Sequence, residues 1–343
     1  FQDLFADYSR NVISGDNTGY ERRQLAGSDR SFSALMMATI NNAVAPLVPG
    51  SSAPPAVPPV PPTAPVNRNK HGHLIARMRH ACHVVRTALN VTKRDESQQI
   101  EGLMDTVYHS SLVFGGAASL CDSLPYLSHD AHRFKEFLAY FMSRLTSLRA
   151  GDSMIAPATW ISTEDNESDF GVMLVIHRMK EATDTDFSIC IINTSLEGSE
   201  YHSVEVDRSD GTILRNIAFE VVNVPNIKIL NTAFWFLVFK SSIMPNSKFN
   251  CKFLYEKIIP YLTHIPLPYA LQVGSALKIS IADFRPMPIN DDNSFIIAAI
   301  ESLYYISRAT GMSRVEADHM IYLVKSNMMQ LVKNDLSVVG YVR

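Results

Sequence analysis

Cysteine is scarce in this sequence: Cys82, Cys121, Cys190 and Cys251 are the only four in 343 residues. No two of them form a CxxC pair, so a zinc ribbon is excluded. A chain of this length can build a core without disulfide staples, and the count fits a reducing intracellular compartment, cytoplasmic rather than secreted. Charge is thin as well, at 19% of residues with a formal net charge of −3. That balance speaks against nucleic acid as a partner, which asks for a basic patch and a high pI, although Arg77, Arg79 and Arg86 make a local basic cluster. Long apolar runs are missing. The longest lies around Ala233 to Phe239, too short to span a bilayer. GxSxG and HExxH are absent, and the Gly115–Gly116 pair lacks both the GxGxxG spacing and a following Lys-Ser/Thr. No nucleotide or other cofactor is expected.

Hydrophobic residues make up 46% of the chain, enough for one large domain or two ordinary ones. Residues 1–46 read as a polar arm with a short helix. Nine of the 18 prolines fall between Pro46 and Pro65, and residues 47–69 therefore read as a linker or surface strap in polyproline II conformation. A PxxP ligand for an SH3-like groove is the sharper reading of the same segment. Residues 70–150 read as helical. One stripe carries Leu74, Ile75, Met78, Cys82, Val85 and Leu89, and a second carries Ile100, Leu103, Met104, Val107 and Leu112. The third and clearest holds Phe134, Phe137, Leu138, Phe141, Met142, Leu145 and Leu148, with Asp130 as N-cap and Arg149 at the C-terminal dipole.

The period changes at Gly151. Residues 151–285 read as an antiparallel sheet core with helices returning from Asn231, and residues 286–343 as C-terminal helices. "GVMLVIH" and "FSICIIN" read as a hairpin, closing so that Ile176 lies near Ser188 and Gly171 near Asn193. An acidic loop, "STEDNESD", precedes it. "HSVEVDR" and "ILRNIAFEVVNV" extend on either side of a turn. The class is α+β, a small antiparallel sheet flanked by N- and C-terminal helices.

Metal-ligating spacing is limited to His80 and His83, three apart on one helix face, with His71 and His73 at its start and no carboxylate or second cysteine alongside. Solvated or packing histidines are the simpler reading, and no metal is expected. His129 and His132 read as surface residues. For nucleophilic chemistry the best thiol is Cys121, because "GG" before it reads as a turn leading into a helix. His177 or His202 would be its base. Asn193, with Tyr201 and His202 just beyond it, reads as a strand cap that turns the chain by bonding its own backbone.

The run "GDSMIAPATWI", "GVMLVIHR", "NTSLEGSEYH", "FWFLVF" and "YALQVGSALKIS" resembles a papain-like or transglutaminase-like cysteine peptidase domain, in permuted order, found in very large eukaryotic and intracellular-bacterial proteins. The resemblance covers residues 150–285. Gly151, Asp152, Ser153, Pro157, Trp160, Gly171, Asn193, Thr194, Tyr201 and His202 match its pattern, and Gln272, Gly274 and Ser275 match with one residue fewer. It implies a permuted papain-like core. It also implies that the catalytic histidine falls on Val172 and the catalytic cysteine on Ala276, leaving Asn193 as the one retained member. No catalytic residue is then expected. The resulting expectation is a pseudoenzyme, a non-catalytic structural or interaction subunit of a larger assembly with protein partners. An active peptidase or acyltransferase using Cys121, and a viral or organellar shell protein, are the alternatives.

Overall fold

The third helical stripe shows how local sequence sets the architecture. Asp130 accepts the backbone N–H groups of His132 and Arg133, each at 3.0 Å, and opens a helix at Ala131–Thr146. Phe134, Phe137, Leu138, Phe141 and Leu145 are its buried face. Arg149 lies past the helix end and donates its N–H to Asp152 at 2.8 Å. Ser147 is the C-cap instead.

The computed structural model describes residues 68–94, 103–124, 127, 130–161, 169–179, 187–195, 197–206, 213–243, 249–263, 267, 279–280, 286–288 and 295–338. They all belong to one compact unit, Asn67–Arg343. The polar arm, the proline segment up to residue 67, most of the acidic loop, His129 and the stretch with Gln272, Gly274, Ser275 and Ala276 lie outside the described residues. The helices are α1 (Arg68–Arg94), α2 (Leu103–Ser123), α3 (Ala131–Thr146), α4 (Asn226–Ile229), α5 (Thr232–Ile243), α6, α7 (Phe295–Ala309) and α8 (Arg314–Val338). Helix α6 is composite: Cys251–Phe253, a π turn at Leu254–Ile258, then Ile259–Thr263. Among the described residues, no helix is long and apolar enough to cross a membrane.

The strands are β1 (Ser153–Ile161), β2 (Asp169–Arg178), β3 (Phe187–Ile192), β4 (Val204–Val206), β5 (Ile213–Asn216), β6 (Ala218–Val224), β7 (Ile279–Ser280) and β8 (Pro286–Pro288). A five-stranded sheet runs β1-β2-β3-β6-β7, and a three-stranded sheet runs β4-β5-β8. All pairings are antiparallel. The fold is α+β. Strand β8 extends sheet structure just past residue 285, and α1 begins inside the segment read as linker.

The hairpin forms, with its register displaced by one residue. Ile176 faces Ile189, and His177 faces Ser188. Continuing past the Met173–Ile192 pair sets Val172, not Gly171, level with Asn193. The sequence cannot mark this register, because β3 is buried at all of its positions and no polar alternation labels a face. The two faces of the sheet nevertheless meet different helices. On one face Ser188 meets Tyr305 of α7 at 2.7 Å, and Met173 lies under Ser302. The other face carries Trp160, whose ring meets Tyr255 of α6 edge-on.

Helix α2 departs from its sequence reading. Gly115 and Gly116 form no turn, and the helix runs through them to Ser123. A Cβ on Gly115 would sit 3.1 Å from the Arg86 guanidinium, and one on Gly116 would sit 2.7 Å from that of Arg144. The glycines let two arginines lie against the helix. Leu112, expected on the buried stripe, is 54% exposed.

Candidate functional site

One end of the large sheet gathers the polar groups that the sequence singled out. Asn193 follows β3, and its N–H donates to Ile217 at 2.7 Å. Its side-chain oxygen accepts the N–H of Ser195 at 2.9 Å and also the Ser195 hydroxyl. Its amide nitrogen donates to the Glu197 carbonyl at 3.0 Å. Asn193 therefore builds the 193–198 turn, as the cap reading expected.

The turn ends at Gly198, whose φ of +86° is left-handed. A Cβ there would come within 2.8 Å of the Tyr255 ring and 2.9 Å of both Asn193 Nδ2 and Cys251 Sγ. Three side chains from two elements thus close on a bare backbone. A 3-10 turn, Ser199–Tyr201, follows. Tyr201 stacks on Tyr255 with centroids 4.7 Å apart and donates to Glu256 at 2.6 Å. His202 Nε2 lies 2.9 Å from the Tyr255 hydroxyl, and its imidazole meets Phe219 edge-on at 4.8 Å.

Helix α6 supplies the second wall. Asn250 caps it by accepting the Phe253 N–H at 3.0 Å, which leaves Cys251 as the first helical residue. The π turn then follows, closed by the Ile259 N–H donating to Leu254, and it holds both Tyr255 and Glu256. Sequence reading missed Cys251, Tyr255, Glu256 and Phe219. The available signal was Asn250 before Cys251, a capping residue ahead of a thiol.

The electrostatics oppose acyl-transfer chemistry. A helix N-terminus ordinarily favours a thiolate. Here burial, followed by Glu200, Glu197 and Glu256, pushes the Cys251 thiol well above its usual range. Burial drives His202 down to about 3, and the neighbouring Asn216 backbone offsets only part of that. Tyr255 is likewise held protonated, chiefly by burial. At neutral pH the cluster is a neutral thiol, a neutral imidazole and a neutral phenol packed among rings. Val172, fully buried and level with Asn193, adds no proton-transfer group.

The other sites expected from sequence fall elsewhere. His177 sits at the opposite end of β2, where its Nδ1 lies 3.0 Å from the Ser153 hydroxyl. Cys121 is inside α2 rather than at a helix start. Burial is the main cause of its raised pKa, and its electrostatic neighbours are Cys82, Asp122 and Arg79, with no histidine among them. The premise for Cys121 as a helix-start nucleophile is thereby corrected. Of the basic cluster, Arg79 pairs with Asp122, and Arg86 lies along Gly115. Among the described residues, no group of three or more His, Cys, Asp or Glu side chains could hold a metal. Side chains of His71 and His73 are outside the described set, as is Ala276.

No family model, curated protein or solved structure matches the chain.

Proposed function

We propose that this chain is a non-catalytic structural or interaction subunit, built on a scaffold similar to papain-like cysteine peptidases and working through protein partners in a reducing intracellular compartment. The observation that carries this reading is the His202–Tyr255 contact at 2.9 Å. Among the described residues, His202 is the histidine beside the turn that Asn193 builds; its Nε2 meets a phenol, and burial holds it uncharged. A cysteine-dependent mechanism needs an imidazole that can take the thiol proton and stay charged beside the thiolate, and burial that lowers His202 to about 3 opposes that charge.

Support for a partner-binding role comes from α8. Val315, Tyr322 and Met329 recur every seventh residue and are 78%, 69% and 70% exposed. Such a stripe on a helix already packed by its other face suits contact with another protein.

The test joins thiol labelling to turnover. Native protein is treated with iodoacetamide from pH 6 to 9, and activity is assayed on acyl and peptide substrates. All four cysteines should label slowly with no turnover. Fast labelling of Cys251 or Cys121, together with turnover abolished by its replacement with alanine, would make the chain an enzyme.

A further inference from the structure

The glycine pair of α2 gathers two cations from two other helices. Arg86 reaches it from α1, with Cζ and Nε 3.1 Å and Nη1 3.3 Å from where a Gly115 Cβ would sit. Arg144 reaches it from α3, with Nη2, Nη1 and Cζ at 2.7, 2.9 and 3.2 Å from the Cβ position of Gly116. Such similar distances mean that each guanidinium lies flat on the α2 backbone, so its N–H edges run along the surface. Successive positions on a helix set the two forks on the order of 10 Å apart, centre to centre. Arg86 is exposed, and Arg144 and both glycines are half-buried, so the place is open to solvent.

The acidic side chains of these helices are engaged or distant. Helix α1 carries no Asp or Glu from Arg68 to Arg94. Arg79, two turns before Arg86 on the same row of α1, takes Asp122 of α2. Asp105 lies in the first turn of α2, far along the helix from Gly115. On α3, Glu136 lies beside His132 at 3.4 Å, two turns before Arg144. Among the described residues, Arg86 and Arg144 have no carboxylate or carbonyl partner, and Arg144 adds only the Tyr140 ring at 5.9 Å. An arginine that merely covered apolar surface with its stem would hold its head out in water. Here both heads rest on backbone, where any side chain larger than hydrogen would displace them. Glycine inside a helix lowers its stability, and α2 has two in succession. What they supply is room for two cations side by side without a counter-charge.

We infer that Arg86 and Arg144, lying on Gly115 and Gly116, form a binding site for a phosphate monoester carried by a protein partner. A carboxylate is satisfied by a single guanidinium fork, whereas a dianion with three terminal oxygens can bond two forks at once. Charge-assisted bonds of about 2.8 Å on either side let one phosphate group bridge the gap between them. The ester chain leaves toward solvent, because the site is a surface and not a pocket. A nucleic-acid backbone is the poorer occupant, since a formal net charge of −3 with 19% charged residues provides no extended basic track. That the phosphate belongs to a protein rests on the interaction reading above, while the anion site rests on the two arginines alone.

The test titrates the intact, nitrogen-15-labelled chain at neutral pH and low salt, following the arginine Nε–Hε resonances. The probes are a glycine-flanked phosphoserine peptide, the same peptide without phosphate, inorganic phosphate and a short oligothymidylate. The phosphopeptide should shift the Arg86 and Arg144 signals and bind at least about tenfold tighter than its unphosphorylated counterpart, and no more weakly than inorganic phosphate. Arg86→Gln and Arg144→Gln should each weaken it by about tenfold, and Lys325→Gln, an exposed lysine on α8, should leave it unchanged. Gly115→Ala should weaken binding while the helix gains stability, a combination that a purely structural glycine would not give. No response from either arginine, or an affinity indifferent to both arginine variants, would overturn the site. Inorganic phosphate bound more tightly than the ester would make the ligand a free anion, and oligothymidylate bound more tightly through the same arginines would make it a nucleic acid; either result overturns the protein-borne monoester. An unchanged affinity in Gly115→Ala would overturn the role given to the glycines. Thiol labelling and turnover bear on other residues, so the interaction reading and this site can fail separately.

Discussion

Tyr255 joins Asn193 and His202 without belonging to the strands that carry them. Its hydroxyl lies 2.9 Å from His202 Nε2, and its ring approaches within 2.8 Å of where a Gly198 Cβ would sit, above the turn that Asn193 builds. One side chain of α6 therefore fixes the turn after β3, the 3-10 turn beyond it and the end of the sheet.

Gly198→Ala should be poorly tolerated. The left-handed backbone at φ +86° costs an alanine about 1 kcal/mol, and the new methyl group meets three side chains below 3.0 Å. A loss of about 2–4 kcal/mol is expected by urea denaturation, with a change below 0.5 kcal/mol arguing against this packing.

Stability should fall in mild acid in a manner traceable to His202. Its folded pKa, about 3, lies below the ordinary 6.5, so the unfolded chain takes up a proton first as pH drops. The contribution is intact above pH 6.5 and declines toward pH 3, at a limiting slope of about 1.4 kcal/mol per pH unit. Urea midpoints from pH 7 to 4 should fall less steeply in His202→Gln, which cannot titrate. Parallel curves for the two proteins would mean that His202 does not carry the effect.

On the opposite face, Tyr305 bridges Ser188 at 2.7 Å and donates to Glu220 at 2.5 Å. Tyr305→Phe removes the donor and leaves a carboxylate at the helix–sheet contact without it. About 1.5–3 kcal/mol should be lost. Glu220→Gln in the same background should recover part of that loss, and an additive double mutant would show no coupling between the two side chains.

Gly115→Ala tests the helical assignment of the glycine pair. The nearest obstacle is the Arg86 side-chain end at 3.1 Å, which can swing aside. Helix propensity then favours alanine, and a gain of about 0.5–1 kcal/mol is expected from thermal unfolding followed by circular dichroism. A turn at this position would give a loss instead.

The sequence shows helices and hairpin plainly because their signals are local. Asp130 with the Phe134-to-Leu145 stripe is sufficient for α3, and two apolar runs around a polar gap are sufficient for β2 and β3. Register was less legible, since residues buried on both faces carry no label for either side. Gly115 and Gly116 misled because a glycine pair usually breaks a helix, whereas here it makes room for arginines from α1 and α3. Of the site, Asn193, Tyr201 and His202 could be chosen from sequence. Cys251 and Tyr255 could not, because Tyr255 lies 53 residues from His202 in the chain and meets it only through the packing of α6 on the sheet.

The π turn makes α6 a helix with a stored residue. Its start is tied down by Asn250 and its end by Lys228, so the surplus has nowhere to migrate. Removing one residue within Leu254–Ile258 would let the turn relax to α geometry while both anchors stay in place. The flanking segments would keep their phase, because the wide turn holds the extra residue locally, and the side chains within the turn, Tyr255 and Glu256 among them, would be re-aimed. Cys251 would stay where Asn250 sets it, while Tyr255 would lose its aim at Gly198 and His202. The irregular turn thus sets the aim of Tyr255 rather than the course of the helix, and a more regular α6 would be a less well-fitted one.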